Sequence, residues 1–148
     1  NYTLHLLDLA ICYYLTKDFE MSEEVISNIL RNDKNNEDAH YLRYKIWKYQ
    51  DKFCMAFAQI GNLIIMNDKN IGYMYEKARF LFRYKSYKDA LDILDDIIKI
   101  SPNDPKYHLL KFKCLFQLNR YTVARDLLEH IFSKFPAYEK GLIEYEYY

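Results

Sequence analysis

An all-α fold built from a helical repeat is what this sequence predicts, and three observations predict it. Only 3 Gly and 3 Pro occur in 148 residues, too few for hairpin turns, phosphate-cradling loops or a loop-rich architecture. Apolar residues recur at spacings of one, three and four, as in Ala90, Leu91, Leu94, Ile97 and Ile98, which is the pattern of an amphipathic helix. The chain also repeats itself with a period of 34 residues and no insertions, the signature of a solenoid of stacked supersecondary units.

Written as residues 3–36, 37–70, 71–104 and 105–138, the units align column by column. Position 17 is Phe19, Phe53, Tyr87 and Tyr121, always aromatic. Position 20 is Ser22, Ala56, Ala90 and Ala124, always small. Position 24 reads Ile26, Ile60, Leu94 and Leu128, and position 27 reads Ile29, Leu63, Ile97 and Ile131. Polar breaks divide every unit in two. The first helix runs to Lys17-Asp18 and the second to Asn35-Asn36. The third runs to Gln50-Asp51-Lys52 and the fourth to Lys69-Asn70. The fifth ends at Lys85-Ser86, and the sixth at Ser101-Pro102-Asn103-Asp104. The seventh opens on Asp104-Pro105, an N-cap followed by Pro at the first helical position, and ends at Asn119-Arg120. The eighth closes near Pro136. Eight helices of about 13 residues are therefore expected, with a ninth beginning near Tyr138.

Composition excludes several classes of function. The 21 Lys and Arg balance the 21 Asp and Glu, so the chain lacks the cationic excess that nonspecific nucleic-acid binding needs. Cys12, Cys54 and Cys114 are odd in number and widely spaced. They point to an intracellular, reducing compartment, cytoplasm or nucleus, rather than to a disulfide framework. No apolar stretch approaches the ~18 residues of a membrane span. The chain opens on Asn and closes on Tyr148 inside a helix-like stretch, which reads as a fragment of a longer protein.

No catalytic constellation is present. The sequence has no GxSxG, P-loop or HExxH motif, so no enzyme activity, cofactor or metal is expected. His40 and His108 share position 4, two repeats apart, and read as helix-packing residues rather than a metal pair. Cys12 and Cys114 share position 10 and read as small hydrophobes. Asp89, Asp92, Asp95 and Asp96 read as a solvated face, with no loop to build a Ca²⁺ site.

The columns resemble those of the tetratricopeptide repeat (TPR) family, over residues 3–138. The third unit carries the pattern best, with Ala78, Tyr87, Ala90, Leu94, Ile97 and Pro102. Two features depart from it. Position 8, small in the family, is Ala10 and Ala78 in two units but Tyr44 and Phe112 in the others, whose first helices should pack less closely or tilt. Position 32 is Pro only in the last two units. The resemblance implies a right-handed α-solenoid of antiparallel helix pairs, a single TPR superhelix over residues 1–148, with each repeat touching its neighbours. First helices would line a concave groove, and residues 139–148 would begin a further or capping helix.

The groove positions implied by the family are 2, 5, 6, 9, 12 and 13. Position 9 reads Ile11, Lys45, Arg79 and Lys113, a basic ladder over three successive repeats. Tyr41 and Tyr75 occupy position 5. Lys48, Phe82 and Phe116 occupy position 12, and Tyr49 and Arg83 position 13. These ten residues are the candidate binding groove, with the three ladder cations expected to stand unpaired. They suit a protein or peptide segment bearing carboxylates and apolar anchors. The two-carboxylate clamp of one subclass, which takes acidic chaperone tails, needs Lys and Asn on the first unit's first helix; Asp8 and Ile11 stand there instead.

The expected function is a non-enzymatic protein–protein interaction scaffold. Self-association as a homodimer, as in assemblies such as the anaphase-promoting complex, is an alternative. So is a regulatory domain of a larger enzyme, or a bacterial secretion or pilus-assembly chaperone.

Overall fold

Helices stop at the same positions in every repeat, and all but the first start at them as well. The structure, a computed structural model, describes residues 2–138. Its helices are α1 (Tyr2–Leu15), α2 (Phe19–Asn32), α3 (Glu37–Tyr49), α4 (Phe53–Met66), α5 (Ile71–Arg83), α6 (Tyr87–Ile100), α7 (Pro105–Gln117) and α8 (Tyr121–Lys134), followed by a 3₁₀ turn at Pro136–Tyr138. No strand occurs among the described residues. The ninth helix expected beyond Tyr138 lies outside them.

Each first helix ends in one backbone device. Lys17, Asp51, Lys85 and Asn119, all at position 15, take the left-handed conformation, with φ of 63°, 56°, 63° and 59°. This turns the chain so that two late amides fold back on the helix. Lys17 N–H reaches Tyr14 O and Asp18 N–H reaches Tyr13 O; the same pair recurs in the other three repeats, ending with Asn119 N–H on Phe116 O and Arg120 N–H on Leu115 O. The pattern is a Schellman motif, which satisfies carbonyls that the helix end would orphan. Position 34 supplies the caps at the other junction. Asn36 accepts from Ala39 N–H at 3.0 Å, and Asp104 accepts from Lys106 N–H at 3.1 Å ahead of Pro105.

The core is made of the repeat columns. Ile29, Leu63, Ile97 and Ile131 are all within 1% of complete burial, as are Ser22, Ala56, Ala90 and Ala124. Burying one such aliphatic side chain contributes roughly 1.5–3 kcal/mol, so a column repeated four times dominates the packing. The small residue at position 20 lets the paired helices touch: Ser22 Oγ donates to Ala10 O at 2.8 Å. Tyr44 is buried where the family has a small residue, its ring 6.0 Å from that of Tyr41.

The chain divides into two compact units, Asn1–Tyr73 and Met74–Tyr148. In the first, Ala10, Ile26, Ile29, Ala39, Leu42 and Ile46 form one buried cluster. Phe19 joins the first repeat to the second, its ring 5.0 Å from Tyr49. Arg43 bonds Glu23 and Ser27 across α2 and α3, both at 3.0 Å. In the second unit Lys111 on α7 pairs with Asp95 on α6 at 2.6 Å, so Asp95 is not one of a set of purely solvated acids.

Candidate functional site

The candidate residues stand on first helices because positions 5, 9, 12 and 13 fall on one side of a 3.6-residue helix. In the first unit, Lys45 and Lys48 are half-buried and Tyr49 is exposed. The Lys45 ammonium lies 5.0 Å from the ring centre of Tyr41 and 5.8 Å from that of Tyr14. Lys48 lies 5.7 Å from the Tyr44 ring. In the second unit the guanidinium of Arg79 lies 5.9 Å from the Tyr75 ring, and Lys106 stands over the same ring at 5.5 Å. Tyr107 closes edge-on to Tyr75 at 5.2 Å. Burial pushes the Tyr75 phenol above its ordinary value, against the opposing field of Arg79 and Lys106. The phenol therefore remains a neutral hydrogen-bond donor at neutral pH. Phe82 packs on Tyr87, and Phe116 on Tyr121, at 5.4 and 5.3 Å. Phe116 is still half-exposed, and Arg83 is exposed; Lys113 is half-buried.

Two expectations need correction. The ladder cations do not stand unpaired: Arg79 binds Glu76 one turn earlier at 3.2 Å, and Lys45 spends its charge on two tyrosine faces. A helix offers i,i+3 partners at no cost in chain folding, so an isolated cation column is readily neutralised from within. Position 6 does not line an open face throughout. Leu42 and Leu110 are buried in the core, at 5% and 8% exposure, and Leu42 belongs to the buried cluster that holds Ala10, Ile26 and Ile29 of the preceding repeat.

Sequence reasoning missed the role of position 4. His40 Nε2 lies 2.8 Å from Lys34 O, and His108 Nε2 lies 2.8 Å from Pro102 O. Both carbonyls are at position 32, so each histidine ties the inter-repeat loop to the helix that follows it. His40 is also held by Gln59 on α4 through its Nδ1, at 2.6 Å. The shared column was the available signal. Glu37 forms a third tie, accepting from the Tyr73 hydroxyl at 2.6 Å and from Asn67 at 3.1 Å. These partners hold its carboxyl below its ordinary value. Cys114 is buried, which pushes its thiol up to about 11 and leaves it unreactive. No group of three or more metal-ligating side chains occurs among the described residues, and none of the described helices is long and apolar enough to cross a membrane.

Known proteins resemble the chain in both sequence and fold. Residues 59–131 match the family of anaphase-promoting complex, cyclosome, subunit 3. The DnaJ homolog subfamily C member 3 homolog of Dictyostelium discoideum is 27% identical over 130 residues, covering 77% of this chain and 26% of that protein. The chain thus spans about a quarter of the length of the curated relative it matches. MamA from Desulfovibrio magneticus RS-1 superposes with a TM-score of 0.78 at 14% identity, over 92% of this chain and 77% of that one. YrrB, a TPR protein with an unusual peptide-binding site, superposes with a TM-score of 0.71 at 15% identity, over 88% of this chain and 68% of that one. A 34-residue period, two helices in each period and superposition on these structures over nearly the whole described length have one explanation: the chain has the tetratricopeptide repeat fold.

Proposed function

We propose that the chain is one TPR array whose first helices hold a segment of a partner protein, and that it performs no chemistry of its own. One observation carries this reading. In each unit the exposed or half-buried side of the first helices presents cations braced on tyrosine faces, with Tyr49 and Phe116 open to solvent beside them. Aromatic and arginine side chains of this kind anchor protein interfaces, and bracing lowers the entropy lost when they engage a ligand. The first unit would contribute Tyr41, Lys45, Lys48 and Tyr49 to binding, and the second Tyr75, Arg79, Phe82, Arg83, Lys113 and Phe116. Their chemistry suits a segment with carboxylates spaced between apolar or aromatic anchors. Arg79 keeps donors to spare beyond its bond to Glu76, since a guanidinium has five. YrrB supports the reading as a protein of the same fold with a peptide site.

Quantitative affinity capture tests it, with wild type, Arg79→Glu and Asp92→Lys as baits. Arg79 is exposed and outside the core, so the fold survives its replacement. Proteins retained by wild type and by Asp92→Lys should be depleted at least tenfold on Arg79→Glu, as the loss of a charged interface contact costs about 1.5 kcal/mol or more. Retention should also fall as salt rises. Capture that survives Arg79→Glu and is lost with Asp92→Lys places the partner on the second helices and overturns the proposal.

A further inference from the structure

Two cations of the second unit share one aromatic ring. The guanidinium of Arg79, on α5, lies 5.9 Å from the ring centre of Tyr75, and the ammonium of Lys106, at the start of α7, lies 5.5 Å from it. Lys106 also stands 4.9 Å from the ring of Tyr107, which meets Tyr75 edge-on. The first unit has the same ring pair without the second cation. Tyr41 and Tyr73 occupy the matching columns, 5.5 Å apart, but Gly72 stands where the second unit has Lys106. The Tyr73 hydroxyl is taken by Glu37 at 2.6 Å. In the second unit each cation rests on a carboxylate close in sequence: Arg79 on Glu76 at 3.2 Å, Lys106 on Asp104 at 3.1 Å. Both cationic side chains remain open to solvent, at 55% and 48% exposure. Ion pairs this exposed contribute little, so a ligand with more charge than one carboxylate can displace them.

The charges select that ligand. A single carboxylate from a partner would exchange one exposed pair for another of the same kind. A phosphomonoester carries about −1.5 to −2 charges at neutral pH and three strong acceptor oxygens, enough to hold both cations at once. A guanidinium grips such a group through two parallel N–H bonds, and an ammonium adds up to three more donors. The Tyr75 phenol, kept protonated by burial against the opposing field of Arg79 and Lys106, is a neutral donor on the ring that both cations flank. We infer that the second unit seats a phosphorylated serine or threonine of the bound partner segment, with Arg79 and Lys106 engaging its phosphate. The inference rests on the first helices being a partner-binding face, and it names the chemistry recognised at one place on that face.

Fluorescence anisotropy with three matched pools of degenerate peptides tests it, the pools having phosphoserine, aspartate or serine at a fixed central position. The whole chain should bind the phosphoserine pool about tenfold tighter than the aspartate pool, the advantage of two charge-assisted contacts over one. Lys106→Ala should remove most of that advantage, and Tyr75→Phe, which keeps the ring, should reduce it severalfold. Lys99→Ala, on α6, should leave it unchanged. Helical circular dichroism should be the same for all four proteins. The advantage should also shrink between about pH 7.5 and 5, because the phosphate takes up its second proton near pH 6 while an aspartate stays ionised. Equal affinity for the phosphoserine and aspartate pools overturns the inference and leaves the binding face standing. An advantage that survives Lys106→Ala overturns it too. Failure of every pool to bind overturns the binding face along with it. Inorganic phosphate that displaces the phosphoserine pool at matched concentration assigns the seat to free phosphate, and equally overturns the inference.

Discussion

Position 15 places four side-chain-bearing residues where glycine is ordinarily found. Lys17, Asp51, Lys85 and Asn119 all have φ near +60°, a region that crowds Cβ against the backbone by roughly 1–2 kcal/mol. The Schellman bonds at each site require that conformation, so the strain is held in place by the helix end. Lys85→Gly removes the crowding and adds freedom to the unfolded chain, so the net gain should be up to about 1 kcal/mol. Lys85→Val, β-branched at the same φ, should lose about 1–2 kcal/mol. Urea denaturation of the two variants gives opposite shifts of the midpoint if the turn is as described; equal shifts would mean that position 15 relaxes out of the left-handed region. This turn was only half legible. Its polar residues announced a break, but the scarcity of glycine concealed that every break uses the same glycine-like backbone.

Between one repeat and the next, side-chain ties add to the apolar packing. Glu37 opens α3 and holds Asn67 beyond the end of α4 and Tyr73 in the first turn of α5. The Tyr73 hydroxyl is the larger cause of its lowered pKa, Asn67 the next, with burial opposing both. Burial and the neighbouring carboxylate raise the Tyr73 phenol above its ordinary value, so its proton stays in the bond throughout the acid range. A carboxylate whose folded pKa is depressed stabilises fully above its unfolded value, here 4.5. That contribution disappears as pH falls through the folded value. Between about pH 5 and 3 the melting temperature of the wild type should therefore fall more steeply than that of Glu37→Gln, which has no such proton to gain. Parallel slopes would show that the tie does not persist in solution. Helix boundaries were legible from hydrophobic period and polar breaks because those signals are local. The ties were not: Glu37, Asn67 and Tyr73 occupy different columns, and nothing in a single repeat marks them as partners. The binding face was legible as positions, while the internal pairing of Arg79 with Glu76 depended on which rotamers the folded surface brings together.

Repeat architecture makes stability close to a sum over units and the interfaces between them. Charge runs unevenly along that sum. Residues 3–36 hold 3 basic and 6 acidic side chains, and residues 105–138 hold 6 basic and 2 acidic, so the two ends differ by seven charges while the whole chain is neutral. The first repeat is joined to the second through shared core residues, since Ala10, Ile26 and Ile29 pack in one cluster with Ala39, Leu42 and Ile46. Removing residues 1–36 uncovers that side of α3 and also strips Arg43 of Glu23 and Ser27. It leaves the later columns, Ala90 with Leu94 and Ile97 and Ala124 with Ile131, with their own buried neighbours. The shortened chain should therefore keep its helical circular dichroism at low temperature, unfold at lower urea, and show an m-value reduced by about a quarter, in proportion to the surface no longer buried. Retention of the full m-value would mean that the first repeat is not part of the cooperative unit. Loss of all helical signal would mean that the repeats do not fold as separable terms, and that the first helix pair is the nucleus on which the others depend.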